Sequence, residues 1–180
     1  MKLNIGSGYT RYKDFLNVDM DAKCNPDFLF DIENDTWPFE DNSVEFVIAH
    51  HILEHIGEGY FHFIKELYRI CKPNAVIDIK VPHHRHDSFA TDPSHKRPIL
   101  EDSFYMFSKK YNDFIIESDS PISTLAHQLD VDFEMFEVQE VMEEYYADLL
   151  KDESEEYIKR FVKERNNVII EIGVKLLVIK

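Results

Sequence analysis

Five short apolar stretches in the first 82 residues each stop at a glycine, a carboxylate or a histidine. Residues 2–5 run into Gly6-Ser7-Gly8, residues 15–19 end at Asp19, and residues 26–31 end at Asp31. Residues 44–49 run into His50-His51, and residues 75–81 run through Pro82 into His83-His84. Nearly continuous apolar runs such as 44–49 are what strands covered on both faces require. Between the last two lies 60–72, where Phe63, Ile64, Leu67, Tyr68 and Cys71 recur every three or four positions. That is the period of a helix with one buried stripe, and Lys72-Pro73-Asn74 ends it. Strands alternating with helices predict an α/β fold: a mostly parallel sheet with helices on both faces. Ligands of such sheets lie beyond the carboxyl ends of the strands. The glycines, acids and histidines that stop the runs are therefore expected to converge on one site.

The second half is less regular. Residues 103–111 read as helical, 113–117 as a short strand, and 133–141 fit either element. Residues 143–165 are strongly charged and mostly helical, with a partial stripe from Tyr146, Leu149, Leu150, Tyr157, Ile158 and Phe161. Residues 168–179 are rich in β-branched residues and read as a terminal strand. No repeat divides the 180 residues, and 44% of them are hydrophobic, so one domain spanning 1–180 is expected.

Charge and cysteine content exclude several classes. A formal net charge of −15 disfavours nucleic acid and anionic membrane as partners. Cys24 and Cys71 form no disulfide framework, zinc spacing or CxxC pair. No signal peptide is expected, and no apolar run is long enough to span a membrane. A cytoplasmic protein is expected.

Gly6-Ser7-Gly8 after a first strand lets the backbone approach a ligand closely. The full GxGxxG is absent, because Arg11 holds its third position, and no P-loop lysine follows. Asp19 at the end of a second strand suits the two hydroxyls of a ribose. Asp31 suits an adenine amino group, or else it caps a turn.

These pieces, with 37–46 (Trp37-Pro38-Phe39-Glu40-Asp41-Asn42-Ser43-Val44-Glu45-Phe46), Leu53-Glu54-His55-Ile56 and Glu66-Leu67-Tyr68-Arg69-Ile70-Cys71-Lys72-Pro73, resemble the class I, Rossmann-like S-adenosylmethionine-dependent methyltransferases, closest to their small-molecule and glycan-type branch. The likeness covers roughly residues 3–82. It implies a Rossmann-like methyltransferase fold with S-adenosylmethionine as cofactor. Gly6 and Gly8 would line the methionine part, Asp19 would hold the ribose, Asp31 would flank the adenine, and His50 would lie near the transferred methyl. The sequence departs from the family pattern at Asn4, in place of an acid, and at Asn74, in place of a glycine pair. The chain starts at its first strand, so part of the N-terminal cap over the cofactor is expected to be missing.

Methyl transfer to a hydroxyl needs a base, and histidine titrates in the right range. The segment 83–96, HHRHDSFATDPSHK, carries four of the nine histidines. A base among His50, His84 and His95 is expected, with Arg85, Lys96 and Arg97 available to an anionic acceptor or else paired with Asp87, Asp92 and Glu101. His84, His86, His95 and Asp87 or Asp92 could form a metal shell, but their spacing is irregular and three prolines, Pro82, Pro93 and Pro98, break the segment, so no bound metal is expected. His51 and His55 are spaced i,i+4 as on a helix, with Glu54 at the wrong offset for a metalloprotease. The expected acceptor is a small molecule or sugar. A homodimer is expected from uncovered strand edges, above all the 168–179 run. The alternative is a non-catalytic module that binds a nucleoside or S-adenosylmethionine on the same fold.

Overall fold

The computed structural model describes residues 1–180. The first strands are β1 (Lys2–Ile5), β2 (Leu16–Asp19), β3 (Phe28–Leu29) and β4 (Val44–His50). Helix α1 (Tyr60–Ile70) leads directly into β5 (Cys71–Pro82). Then follow α2 (Asp87–Thr91), a 3-10 turn Glu101–Phe107, α3 (Lys109–Glu117), α4 (Leu125–Leu129) and β6 (Phe133–Met142). Helices α5 (Glu144–Leu150) and α6 (Glu155–Glu164) precede β7 (Ile169–Val178). One seven-stranded sheet results, in the order β3-β2-β1-β4-β5-β7-β6. Strands β1 to β5 pair in parallel, and β7 runs antiparallel to both of its neighbours.

The apolar pattern explains the main core. Ile77, Ile79 and Val81 of β5 alternate with half-buried Val76, Asp78 and Lys80, as a pleated strand requires. The buried set joins Leu3, Ile5, Val47, Val174 and Leu176 with Phe63, Ile64, Leu67 and Ile70 of α1 and with Trp37. A second cluster, Leu150, Phe161, Val168 and Ile169, holds the α5–α6 hairpin against the start of β7. The Trp37 corner is tied by ionic hydrogen bonds. Glu66 accepts from the Trp37 backbone N–H at 2.9 Å, and Arg69 donates to Glu66, Asp41 and the carbonyls of Trp37 and Phe39.

Three local expectations change. Residues 113–117 lie in α3, not in a strand. Ser108 caps that helix by accepting from Tyr111 N–H, and its apolar run Phe114-Ile115-Ile116 buries only Ile115. Residues 168–179 supply β7, which is paired on both sides, so they offer no free edge. The outer strands are β3 and β6, and the edge argument for a homodimer moves to β6. The helices are also unevenly placed, since the connections among β1, β2, β3 and β4 contain no α-helix.

Candidate functional site

The turn after β1 is built by glycine. Gly6 has φ +64° and Gly8 has φ +49°, a region that side chains rarely adopt. A Cβ on Gly6 would sit 2.7 Å from the Ile52 side chain, whereas a Cβ on Gly8 would meet nothing within 4 Å. Packing therefore fixes Gly6, while open space lies over Gly8. Arg11, at the place of a third glycine, serves the loop mechanically. It donates to the Gly8 and Thr10 carbonyls and to those of Cys24 and Asn25, which ties the turn to the 3-10 turn Ala22–Cys24.

Asp19 closes the same loop from β2. Its Oδ2 accepts from Gly8 N–H at 2.7 Å and its Oδ1 from Asp21 N–H at 2.9 Å. A carboxylate has about four acceptor positions, so each oxygen keeps room for one more donor. Asn4, where the resemblance expects an acid, is buried and donates to Asn17 Oδ1 and the Thr10 carbonyl. Asp31 spends its carboxylate on its own turn, accepting from Glu33 N–H and Asn34 Nδ2. Those bonds hold its carboxyl below the usual range, and its local contacts are those of a cap.

The three candidate bases do not meet. His50 ends β4 with Nε2 3.3 Å from Asp78 Oδ1 and its ring edge-on to Tyr12. His84 lines a cavity of about 370 Å³ against Ile158, Lys159 and Lys163 of α6. His95 lines a different cleft, of about 490 Å³, with His51, Glu54, His55, Asp92 and Glu171. His86 is drawn away as the cap of α2 and lies 3.2 Å from Glu143. The cations Arg85 and Lys96 of the segment, and Arg97 just after it, are also engaged. Arg85 donates to Asn166 and the Lys163 carbonyl, Lys96 pairs with Glu33 at 3.2 Å, and Arg97 donates to the Ile56 and Gly57 carbonyls while lying over the Tyr60 ring. They neither gather at one anion site nor pair with Asp87, Asp92 and Glu101.

His51, Glu54, His55 and Glu171, for which no catalytic role was expected, also line the cleft. His51 is not helical. It turns sharply after β4 at φ +53° and its Nε2 lies 2.8 Å from Glu171. The Glu54 carboxylate beside it, together with Glu171, raises the His51 pKa against the effect of burial. Burial works to raise the Glu171 carboxyl, but Lys80 and His51 outweigh it and leave it low. Glu54 and His55 sit in a 3-10 turn, Leu53–His55, that puts both at the cleft. Only the proximity of His51, Glu54 and His55 in sequence signalled this cluster. The partner that completes it, His95, is forty residues further on.

Residues 11–78 match the family described as "Methyltransferase domain". No curated protein sequence matches the chain. Among solved structures, a SAM-dependent methyltransferase from Archaeoglobus fulgidus superposes with TM-score 0.60 at 18% identity, over 98% of this chain and 85% of that one. The [4+2]-cyclase SpnF gives 0.56 at 15%, over 99% and 75%. Phosphoethanolamine N-methyltransferase 2 of Haemonchus contortus, in complex with S-adenosyl-L-methionine, gives 0.51 at 12%, over 99% of this chain and 48% of that one. These likenesses concern the fold, which in SpnF carries a cyclase. The chain has the α/β, Rossmann-like fold of the S-adenosylmethionine-dependent methyltransferases.

Proposed function

We propose that this chain is an S-adenosylmethionine-dependent methyltransferase acting on a small, polar or sugar-type acceptor bound in the cleft of His51, His55 and His95. The observation that carries the reading is the glycine turn closed by Asp19, with open space over Gly8. That space and the spare acceptor positions of Asp19 fit a nucleoside with two free ribose hydroxyls. Asp19 would accept from both hydroxyls, and Gly6 and Gly8 would border the amino-acid end. Asp31 and Ile32 would shape the rim at the base, and His50 would stand at the end of β4 on the side of the reacting methyl. When bound, S-adenosylmethionine supplies a methyl group activated by a positively charged sulfur.

The acceptor side is assigned to the cleft with His95 because that cleft is polar, with two hydrophobic residues among its ten. Its imidazole is oriented. Nδ1 lies 2.7 Å from the Phe89 carbonyl, which can only accept, so Nδ1 carries a proton and the neutral ring has its lone pair on Nε2. That lone pair can take a proton from, or hold, an acceptor hydroxyl. Glu54, Asp92 and Glu171 disfavour a phosphate in the cleft, and the engagement of Arg85, Lys96 and Arg97 removes the main support for an anionic carrier. His84, in a cavity against α6, is the weaker candidate.

Calorimetry with S-adenosylmethionine and S-adenosylhomocysteine tests the core of this reading. Binding of both is expected, and no heat from either at concentrations on the order of millimolar sinks it. Cofactor binding with no methyl transfer to any component of a metabolite extract would favour the second reading, a non-catalytic binding module. The helix-free connections among β1 to β4 are the feature that motivates it. No helix of the chain is long and apolar enough to cross a membrane. We further propose a cytoplasmic protein that binds neither membrane nor nucleic acid, with a homodimer through β6 as its expected assembly.

A further inference from the structure

The Glu54 side chain is 1% exposed, and neither of its carboxylate oxygens has a hydrogen-bond partner. Its nearest cationic group, His51 Nδ1, is 3.6 Å away, beyond hydrogen-bond reach. A buried carboxylate with no donor is costly, and native proteins seldom leave one so. One ligand atom each from Glu54, His55 and His95 lies within 4.8 Å of the other two.

The two imidazoles are set for the same task. His95 donates a hydrogen bond from its Nδ1–H to the Phe89 carbonyl. His55 Nδ1 lies 3.0 Å from Ser94 Oγ, and that hydroxyl donates its single proton to Asp92 Oδ1 at 2.6 Å. Ser94 can then only accept from His55, so Nδ1 of His55 is also the protonated nitrogen. In the neutral form of each ring the lone pair then sits on Nε2. An outer partner that fixes the tautomer and aims the ring is the usual support of a metal-binding histidine. Asp92 Oδ2, 3.8 Å from His95 Nε2, adds negative charge at the same place.

We propose that Glu54, His55 and His95 bind one first-row divalent cation of the zinc type, with its remaining position open to the cleft. Two imidazoles and a carboxylate suit such ions better than Mg²⁺ or Ca²⁺. Ligand bonds of about 2.0–2.2 Å place three donors roughly 3–3.5 Å apart. Separations of up to 4.8 Å therefore close with about 1.5 Å of side-chain movement. The expectation of no bound metal rests on the irregular spacing within 83–96 and on a reaction that needs no Lewis acid. The fold instead joins one histidine of that segment to Glu54 and His55. The ion site does not depend on methyl transfer. Its role does rest on that reading: with the ion bound, the Nε2 lone pair of His95 is committed to the metal, and the ion, in place of that lone pair, would polarise an acceptor oxygen at the open position.

Chelator-stripped protein titrated with Co²⁺, read by visible absorption and calorimetry, tests the site. A single saturable equivalent with d–d bands, displaced by Zn²⁺, is expected. Glu54→Gln, His55→Ala and His95→Ala should each weaken binding at least tenfold, whereas His127→Ala, at the Asp113 pair, should bind as the parent does. Stripped Glu54→Gln should melt no lower than the stripped parent, and Zn²⁺ should raise the melting temperature of the parent but not of this variant. No saturable Co²⁺ binding by the parent overturns the proposal. So does parent-like binding by any of the three variants, or an equal loss in His127→Ala. S-adenosylhomocysteine affinity, measured without metal on the same samples, separates the two readings. Co²⁺ uptake without nucleoside binding would leave the ion site standing and remove the methyltransferase.

Discussion

The carboxylate of Asp19, at the end of β2, accepts a 2.7 Å hydrogen bond from the backbone N–H of Gly8. One side chain thus closes the glycine turn and carries the acceptor positions proposed for the ribose. Asp19→Ala is expected to weaken S-adenosylhomocysteine binding by more than tenfold. Each hydrogen bond to a charged group is worth about 1.5–3 kcal/mol, and two are removed. Titration calorimetry on a variant of parent-like circular dichroism decides the matter. Unchanged affinity would remove the nucleoside from this turn.

Gly6 and Gly8 share a left-handed backbone but not an environment, so their alanine variants should differ. Gly6→Ala combines the strain of a positive φ with a Cβ at 2.7 Å from Ile52, and a loss of about 2–4 kcal/mol in urea unfolding is expected. Gly8→Ala meets no atom within 4 Å and should cost only about 1 kcal/mol, yet weaken cofactor binding, because its methyl fills the space left for a ligand. Equal stability losses would mean that Ile52 yields easily.

Much of the first half was legible in the sequence because the apolar runs of β1, β2, β4 and β5 break off at or just before Gly6, Asp19, His50 and Pro82, whereas β3 stops at Leu29, short of Asp31. The second half was less so. Phe114-Ile115-Ile116 is a continuous apolar run, and only the Ser108 cap and the buried Asn112, which bonds Met106 and Ala126, reveal a helix. The candidate site was read in part. Gly6, Gly8 and Asp19 form one unit, whereas His50, His84 and His95 face different surroundings. Spacing along the chain cannot report that Glu54 and His55 meet His95, since that contact depends on how the loop after β5 folds back over the end of β4.

Glu66 offers a test of the Trp37 corner. Its carboxyl is held below the ordinary range first by Arg69, against burial, and then by the Trp37 N–H. Glu66→Ala leaves that N–H and the Arg69 Nε–H without partners, while the guanidinium keeps Asp41 and the Trp37 and Phe39 carbonyls. A buried pair broken this way costs about 3–5 kcal/mol, and the partial exposure of Arg69 reduces the expected loss to about 2–3 kcal/mol. Glu66→Gln keeps an acceptor for Trp37 and should lose less. Equal losses in denaturant melts would assign the effect to charge alone.

His83 gives a pH dependence with a definite sign. Burial, with the charges of His84, Arg85 and His86, pushes its pKa down from 6.5 to about 4. Between those values the unfolded chain binds a proton that the folded chain does not. Stability therefore rises with pH across this window, is complete above the unfolded value, and is lost as pH falls through the folded one. His83→Asn retains an acceptor for the Arg85 N–H, which the His83 ring accepts at 3.1 Å, but cannot titrate. Its stability profile should be flatter than the parent's over the same range. Parallel profiles would show that another group governs the acid limb.

The two remaining loop histidines separate the acceptor side from the α6 side. His95 shares its cleft with His51, His55 and Glu171, whereas His84 faces Ile158 and Lys163. With labelled S-adenosylmethionine and a metabolite extract, His95→Ala is expected to lower methyl incorporation by at least tenfold, about 1.4 kcal/mol of transition-state stabilisation. His84→Ala should reduce it by less than about threefold, because its buried Nδ1 has no partner to lose and replacing such a group is nearly neutral. Cofactor affinity should stay within about twofold of the parent in both variants, since neither residue belongs to the Gly6–Gly8 turn. The reverse ranking would move the acceptor to the cavity against α6 and make His84 the group that acts on it. Equal and small effects would take both histidines out of the chemistry and leave His50, beside Asp78 and Tyr12, as the remaining candidate base.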